Sequence, residues 1–239
     1  MSLDVLAIGT HPDDVELCCG GTLALLVEQG HQVGILHLTR GERGTRGTPE
    51  EREDEARRAA EALGAHSLTY LDCGDGSFRH TEAEEDALIE RLRELRPEIL
   101  LIPPKEDRHP DHVRAHRLVT DAAFYAGLRR RGEGEAHRPG ALFSYMQHHA
   151  FEPSFIVDVT STWEKKQEAL AAYGSQFHRP DRQGDEPQTK ISSRSYALSV
   201  EGRARHFGQM IGVEFGEPFW SPIPLAVTDL AGLLPRGLP

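Results

Sequence analysis

The chain has 239 residues, with 38 Asp and Glu against 27 Lys and Arg and a formal net charge of −11. That balance excludes a general grip on a phosphate backbone, which needs clustered Lys and Arg. The 38% hydrophobic content supports a sizeable core, yet no run approaches the ~20 apolar residues that cross a bilayer.

In chain order, Leu3–Gly9 reads as a buried strand and Thr22–Gln29, closed by Gly30, as a helix. A strand over Gly34–Thr39 follows, then a helix over Pro49–Leu63 with Thr48 as N-cap, Pro49 at its first turn and Gly64 as its stop. Ser67–Leu71 is the third strand, Glu82–Leu95 a helix stopped before Pro97, and Glu98–Pro103 the fourth strand. This β-α-β-α-β-α-β order predicts a doubly wound, mostly parallel α/β sheet with strand order 3-2-1-4-5. Beyond it, His112–Arg130 reads as a helix, Leu142–Met146 and Phe155–Val159 as strands, and Trp163–Tyr173 as a helix. No repeat or linker interrupts residues 1–239, so one domain is expected. Residues 174–193, rich in Gly, Pro, Gln, Asp and Ser, form a candidate active-site loop. The tail from Leu233 to Pro239 is expected to fray.

Cys18, Cys19 and Cys73 lack C-x-x-C spacing, which argues against both a disulfide framework and a cysteine zinc site. Cys18 and Cys19 read as core residues beside Gly20 and Gly21. The only early apolar stretch carries Asp4 and no basic leader, so the expectation is a cytoplasmic protein.

The first strand empties into Thr10-His11-Pro12-Asp13-Asp14 and the fourth into Asp107-Arg108-His109-Pro110-Asp111-His112. In the predicted strand order these strands are neighbours at the switch point, where open α/β sheets place their sites. Either cluster alone is compatible with a capped helix entry; the two together, beyond adjacent strands, point to a metal. Zinc accepts His nitrogen and Asp oxygen, and a catalytic zinc takes three protein ligands. His11, Asp14 and His112 form such a set, and Asp13 is placed as general base; His109, whose protonated form the Asp111 carboxylate favours, is placed as oxyanion stabiliser, with either it or Asp13 as proton donor to the leaving amine. His148 and His149 follow a different strand and read as surface or core residues.

His11-Pro12-Asp13-Asp14 and His109-Pro110-Asp111-His112 resemble the two signature motifs of the PIG-L/LmbE-type zinc-dependent N-deacetylases of N-acetylglucosaminyl compounds. The resemblance implies zinc on His11, Asp14 and His112, Asp13 as base, His109 at the oxyanion and Asp111 tuning that histidine. Residues 38–48, 112–128, 173–177 and 215–219 resemble the bacillithiol-biosynthesis branch, which deacetylates N-acetylglucosaminyl malate. Leu17-Cys18-Cys19-Gly20-Gly21 departs from it mildly, with cysteines where small residues are expected. The resemblance also implies a homo-oligomer and a substrate-contacting arginine at Arg52. Independently, Arg40, Arg43, Arg46 and Arg52 form a basic segment suited to substrate carboxylates.

The reading is a zinc N-deacetylase of N-acetylglucosaminyl malate. Its rivals are a zinc deacetylase of another GlcNAc conjugate and, from another class, a non-catalytic nucleotide-binding module. The latter is disfavoured because Gly9, Gly20 and Gly21 lack the G-x-G-x-x-G spacing of a pyrophosphate turn.

Overall fold

The computed structural model describes residues 2–178 and 187–229. Its seven-stranded mixed sheet runs β3-β2-β1-β4-β5-β7-β6. The strands are β1 (Val5–Gly9), β2 (Val33–His37), β3 (Ser67–Tyr70), β4 (Ile99–Ile102), β5 (Ala141–Tyr145), β6 (Phe155–Asp158) and β7 (Gly216–Trp220). The first five pair in parallel in the order expected, while β7 pairs antiparallel with both β5 and β6.

Among the described residues, six α-helices cover the sheet: α1 (Asp14–Glu28), α2 (Pro49–Leu63), α3 (Glu82–Leu95), α4 (Pro110–Ala126), α5 (Trp163–Ala172) and α6 (Arg194–Ile211). One core cluster joins α1, α2, α5 and α6 to one sheet face, and a second joins α3 and α4 to the other. Local chemistry accounts for the helix ends that were expected. Thr48 accepts from Glu51 N at 3.1 Å ahead of Pro49, and Thr81 with Glu84 closes a capping box on α3.

Three departures from the expected elements have physical causes. Helix α1 begins at Asp14, well before Thr22, but it breaks at Cys19 (φ −139°, ψ 17°). The amides exposed by that break are received by Glu217, which accepts from Gly21 N at 3.1 Å and Thr22 N at 2.7 Å. The position where sequence places a helix start is therefore a true second start inside α1, capped from β7. Helix α4 starts at Pro110 because His109 is its N-cap and stops at Ala126 before Gly127, short of Arg130. Helix α6 and strand β7 have no counterpart among the elements the sequence pattern predicts. Cys18 and Cys19 are buried free thiols in the first core, as expected.

Of the expected loop over 174–193, residues 179–186 lie outside the described residues, as does the tail from Leu233. Its described flanks are tied down: Ser175 N and Oγ each donate to Glu55 at 2.6 Å, and Arg46 Nε donates to Ser175 O at 2.7 Å. Among the described residues no helix is long and apolar enough to cross a membrane.

Candidate active site

Gly9 ends β1 where a Cβ would fall 2.8 Å from His37 Nδ1 and 3.1 Å from His11 O, so only glycine lets the chain turn there. Asp13 then adopts a left-handed conformation (φ 108°), which sets Asp14 at the head of α1. The Asp14 carboxylate folds back to accept from His11 N at 2.8 Å, so part of the capping role weighed for this motif is present. Strand β4 ends beside β1, and its loop brings His109 and His112 against His11, with ring centroids 4.9 and 5.4 Å away.

Around Asp14 the two imidazoles are disposed alike. His11 Nδ1 lies 3.5 Å from one carboxylate oxygen, and His112 Nε2 lies 3.5 Å from the other. Each ring has its remaining nitrogen on a second carboxylate: His11 Nε2 is 3.2 Å from Asp75, and His112 Nδ1 is 3.1 Å from Asp107. Carboxylates behind the rings with open nitrogens ahead of them are the arrangement of metal-ligating histidines. The potential ligand atoms of His11, Asp14 and His112 all lie within 4.8 Å of one another. These residues fit a divalent cation of zinc type, and the same donors suit iron.

The electrostatics agree. Burial opposes charge on His11, yet the Asp111, Asp14 and Asp75 carboxylates around its ring raise its pKa well above the ordinary range, and, against burial, His112 and His11 hold Asp14 far below. A bound cation takes the place of the proton that these carboxylates attract. Burial pushes the Asp13 carboxyl up to about 8, against the Arg52 guanidinium beside it.

Two expected roles change form. The Asp111 carboxylate does not hydrogen-bond to the His109 ring. It accepts from Gly76 N at 2.8 Å, pairs with Arg114 and faces His11 Nε2 at 3.7 Å. What reaches His109 is the Asp111 backbone N–H, donating to Nδ1 at 3.2 Å, because the capping ring folds over the first turn of α4. An accepting Nδ1 leaves the proton on Nε2. Burial, with His11 and His112 nearby, lowers the pKa of His109 and so favours the neutral imidazole, with an Nε2–H donor, over the expected imidazolium.

Arg52, expected to meet substrate carboxylates, points inward from the first turn of α2. It donates to Gly41 O and Pro12 O, both at 2.8 Å, and lies 3.7 Å from Asp13. At Gly41 (φ +63°) a Cβ would fall 2.0 Å from the Arg52 guanidinium, so the loop closes on the arginine through glycine. Arg52 therefore braces the Asp13 turn from the floor of the cavity. Arg52→Ala should lower kcat about tenfold or more on acidic and uncharged substrates alike, since charge-assisted hydrogen bonds of this kind are worth ~1.5–3 kcal/mol. Steady-state rates on both substrates test it, and a KM effect confined to the acidic one would restore the recognition role.

A cavity of about 280 Å³ opens over these residues, lined also by Arg43, Arg108, Gln147, His148 and the loop flanks Gln176, Phe177 and Lys190. His148, read from sequence as surface or core, stacks on His112 at 5.9 Å, whereas His149 is exposed. Gln147 donates to Asp14. The sequence pattern singles out none of Asp75, Asp107 and Gln147, although Asp75 and Gln147 follow the C-terminal ends of β3 and β5, as the two motifs follow β1 and β4.

The family model for PIG-L, GlcNAc-PI de-N-acetylase, matches residues 6–123. The diacetylchitobiose deacetylase of Thermococcus kodakarensis is 33% identical over 192 residues, covering 72% of this chain and 70% of that protein. The 4-oxalmesaconate hydratase of Pseudomonas putida is 28% identical over 197 residues, covering 72% and 74%. Among solved structures, the conserved protein TT1542 of Thermus thermophilus matches at 39% identity with a TM-score of 0.87, covering 95% of this chain and 98% of that one.

Proposed function

From the premise that this chain belongs to the PIG-L family, we propose that it is a zinc-dependent N-deacetylase of N-acetylglucosaminyl conjugates, with N-acetylglucosaminyl malate as its substrate. The observation that carries the reading is Asp14 set between His11 Nδ1 and His112 Nε2, with Asp13 and His109 beside the same cavity.

When bound, zinc supplies Lewis acidity, polarising the acetamide carbonyl and making water nucleophilic near neutral pH. Asp13 accepts the proton of the attacking water, and the Nε2–H of His109 donates to the oxygen on which charge develops. The C–N bond then breaks, and Asp13 returns its proton to the departing amine. Acetate and a glucosaminyl ammonium result, the second water proton passing from the new carboxylic acid to the amine, and the Asp13 carboxylate is regenerated.

The malate assignment draws on Arg43 and Arg108 at the cavity wall, which suit the two carboxylates of that aglycone. The free thiols of Cys18, Cys19 and Cys73 support a reducing cytoplasm. Exposed Leu198, Met210 and Ile223 leave apolar surface for a homo-oligomeric contact.

Acetate release by zinc-loaded protein tests the reading, with N-acetylglucosaminyl malate, an uncharged N-acetylglucosaminide, N,N′-diacetylchitobiose and a GlcNAc-inositol as substrates. The malate conjugate should give the highest kcat/KM, and Arg43→Ala with Arg108→Ala should reduce that preference. Preference for another conjugate would move the substrate. Hydration of an oxalmesaconate-type acid with no acetate released from any glycoside would overturn the reaction itself.

A further inference from the structure

We propose that Asp107 is the positioning residue of this site, a carboxylate that sets the tautomer of His112 and locks the loops after β4 and β5 into one register. The inference rests on His112 being a metal ligand, as assigned above.

The Asp107 side chain is fully buried, and it receives three hydrogen bonds. Oδ1 accepts from His109 N at 2.9 Å and from His112 Nδ1 at 3.1 Å, and Oδ2 accepts from His148 N at 2.9 Å. All three partners belong to residues around the cavity: the N-cap of α4, the histidine in its first turn, and the chain leaving β5. Each donor is an N–H, so a carboxylate, which only accepts, satisfies all of them together. With its proton held on Nδ1 by Asp107, His112 has a lone pair only on Nε2, the nitrogen facing Asp14. Without that partner, the neutral ring is free to carry its proton on Nε2 and blunt its own ligating atom.

The effect reaches the oxyanion side as well. The bond from His109 N fixes the backbone at the start of α4, and from there the His109 ring caps Asp111 N. One carboxylate thus holds the distance between the metal ligand and the oxyanion donor. The stack of His112 on His148 follows from the same bond set, since Asp107 pins the His148 amide while holding the His112 ring. The sequence offers Asp107 only as the first residue of a His/Asp cluster, two positions before His109.

The test uses Asp107→Asn. An amide presents an NH2 group toward one set of N–H donors whichever way it is turned, so at least one bond becomes a repulsion. Zinc affinity, measured by chelator competition, should fall 10- to 100-fold, the effect usual for losing a carboxylate behind a ligating histidine. At saturating zinc, kcat should stay depressed while KM changes little. Wild-type affinity in the variant would overturn the proposal.

Should the variant not fold, the wild type still decides. Nitrogen-15 histidine spectra of the zinc-loaded protein, with His112 assigned by its loss in His112→Ala, should show the His112 proton on Nδ1. A proton absent from Nδ1 overturns the proposal even though His112 binds zinc. A wild type and His112→Ala that bind zinc equally would instead defeat the ligand assignment beneath it.

Discussion

Asp13→Asn will retain its metal and lose on the order of 10²- to 10⁴-fold in kcat, the range for removing a general base. Asparagine tolerates the left-handed backbone that Asp13 adopts (φ 108°) and nearly matches its shape, so the turn leading into Asp14 survives. The amide cannot take a proton from water, and that loss is confined to the reaction. His11, Asp14 and His112 keep their mutual distances, so elemental analysis should find the same metal content as in wild type. The local field also points to a proton-accepting role. Asp13 is buried with a guanidinium 3.7 Å away, and burial pushes its carboxyl up to about 8, so a proton taken from water is held firmly enough to be handed on to the amine. Metal content falling in step with activity would make Asp13 a ligand.

Glu217→Ala will cost about 3–5 kcal/mol of stability, the penalty for stranding one member of a buried ion pair. Glu217 and Lys166 are both almost wholly buried and pair directly, and the same carboxylate serves Gly21 N, Thr22 N and Thr22 Oγ1. Truncation leaves an ammonium without its partner and reopens the break in α1 at Cys19. Urea unfolding measures the loss. Lys166→Met combined with Glu217→Gln should recover part of it, because the uncompensated charge goes while the amide oxygen still receives the α1 amides. A loss below about 1 kcal/mol for Glu217→Ala would place the pair among the weakly contributing ones, like the exposed Arg40–Asp72 contact.

Much of this was readable because its causes are local. The parallel order β3-β2-β1-β4-β5 follows from alternating apolar runs and capped helices, each settled within a few residues by burial, Thr48 and Thr81 caps, or a glycine or proline stop. From that order it follows that the loops after β1 and β4 meet, which places His11, Asp13, Asp14, His109 and His112 in one crevice before any coordinate is known. Where causes are distant the sequence is silent. The Gly216–Trp220 segment, with Glu217 and Pro218 inside it, lacks a strand's apolar pattern; it becomes a strand because β5 and β6 pair with it from both sides. Helix α6 shows only a sparse apolar stripe of Tyr196, Val200, Ala204 and Phe207, whose meaning depends on the sheet face that receives it.

The same division runs through the site. Which residue types gather at the crevice was set by strand ends, a property of the chain. Which atom faces which was decided by packing. The Asp111 carboxylate turned toward Gly76 and Arg114, Arg52 closed on Gly41 and Pro12, and Asp75 and Asp107 came to stand behind the two histidines. Side-chain direction depends on the partners that burial leaves within hydrogen-bonding reach, and here those partners lie on other loops of the fold.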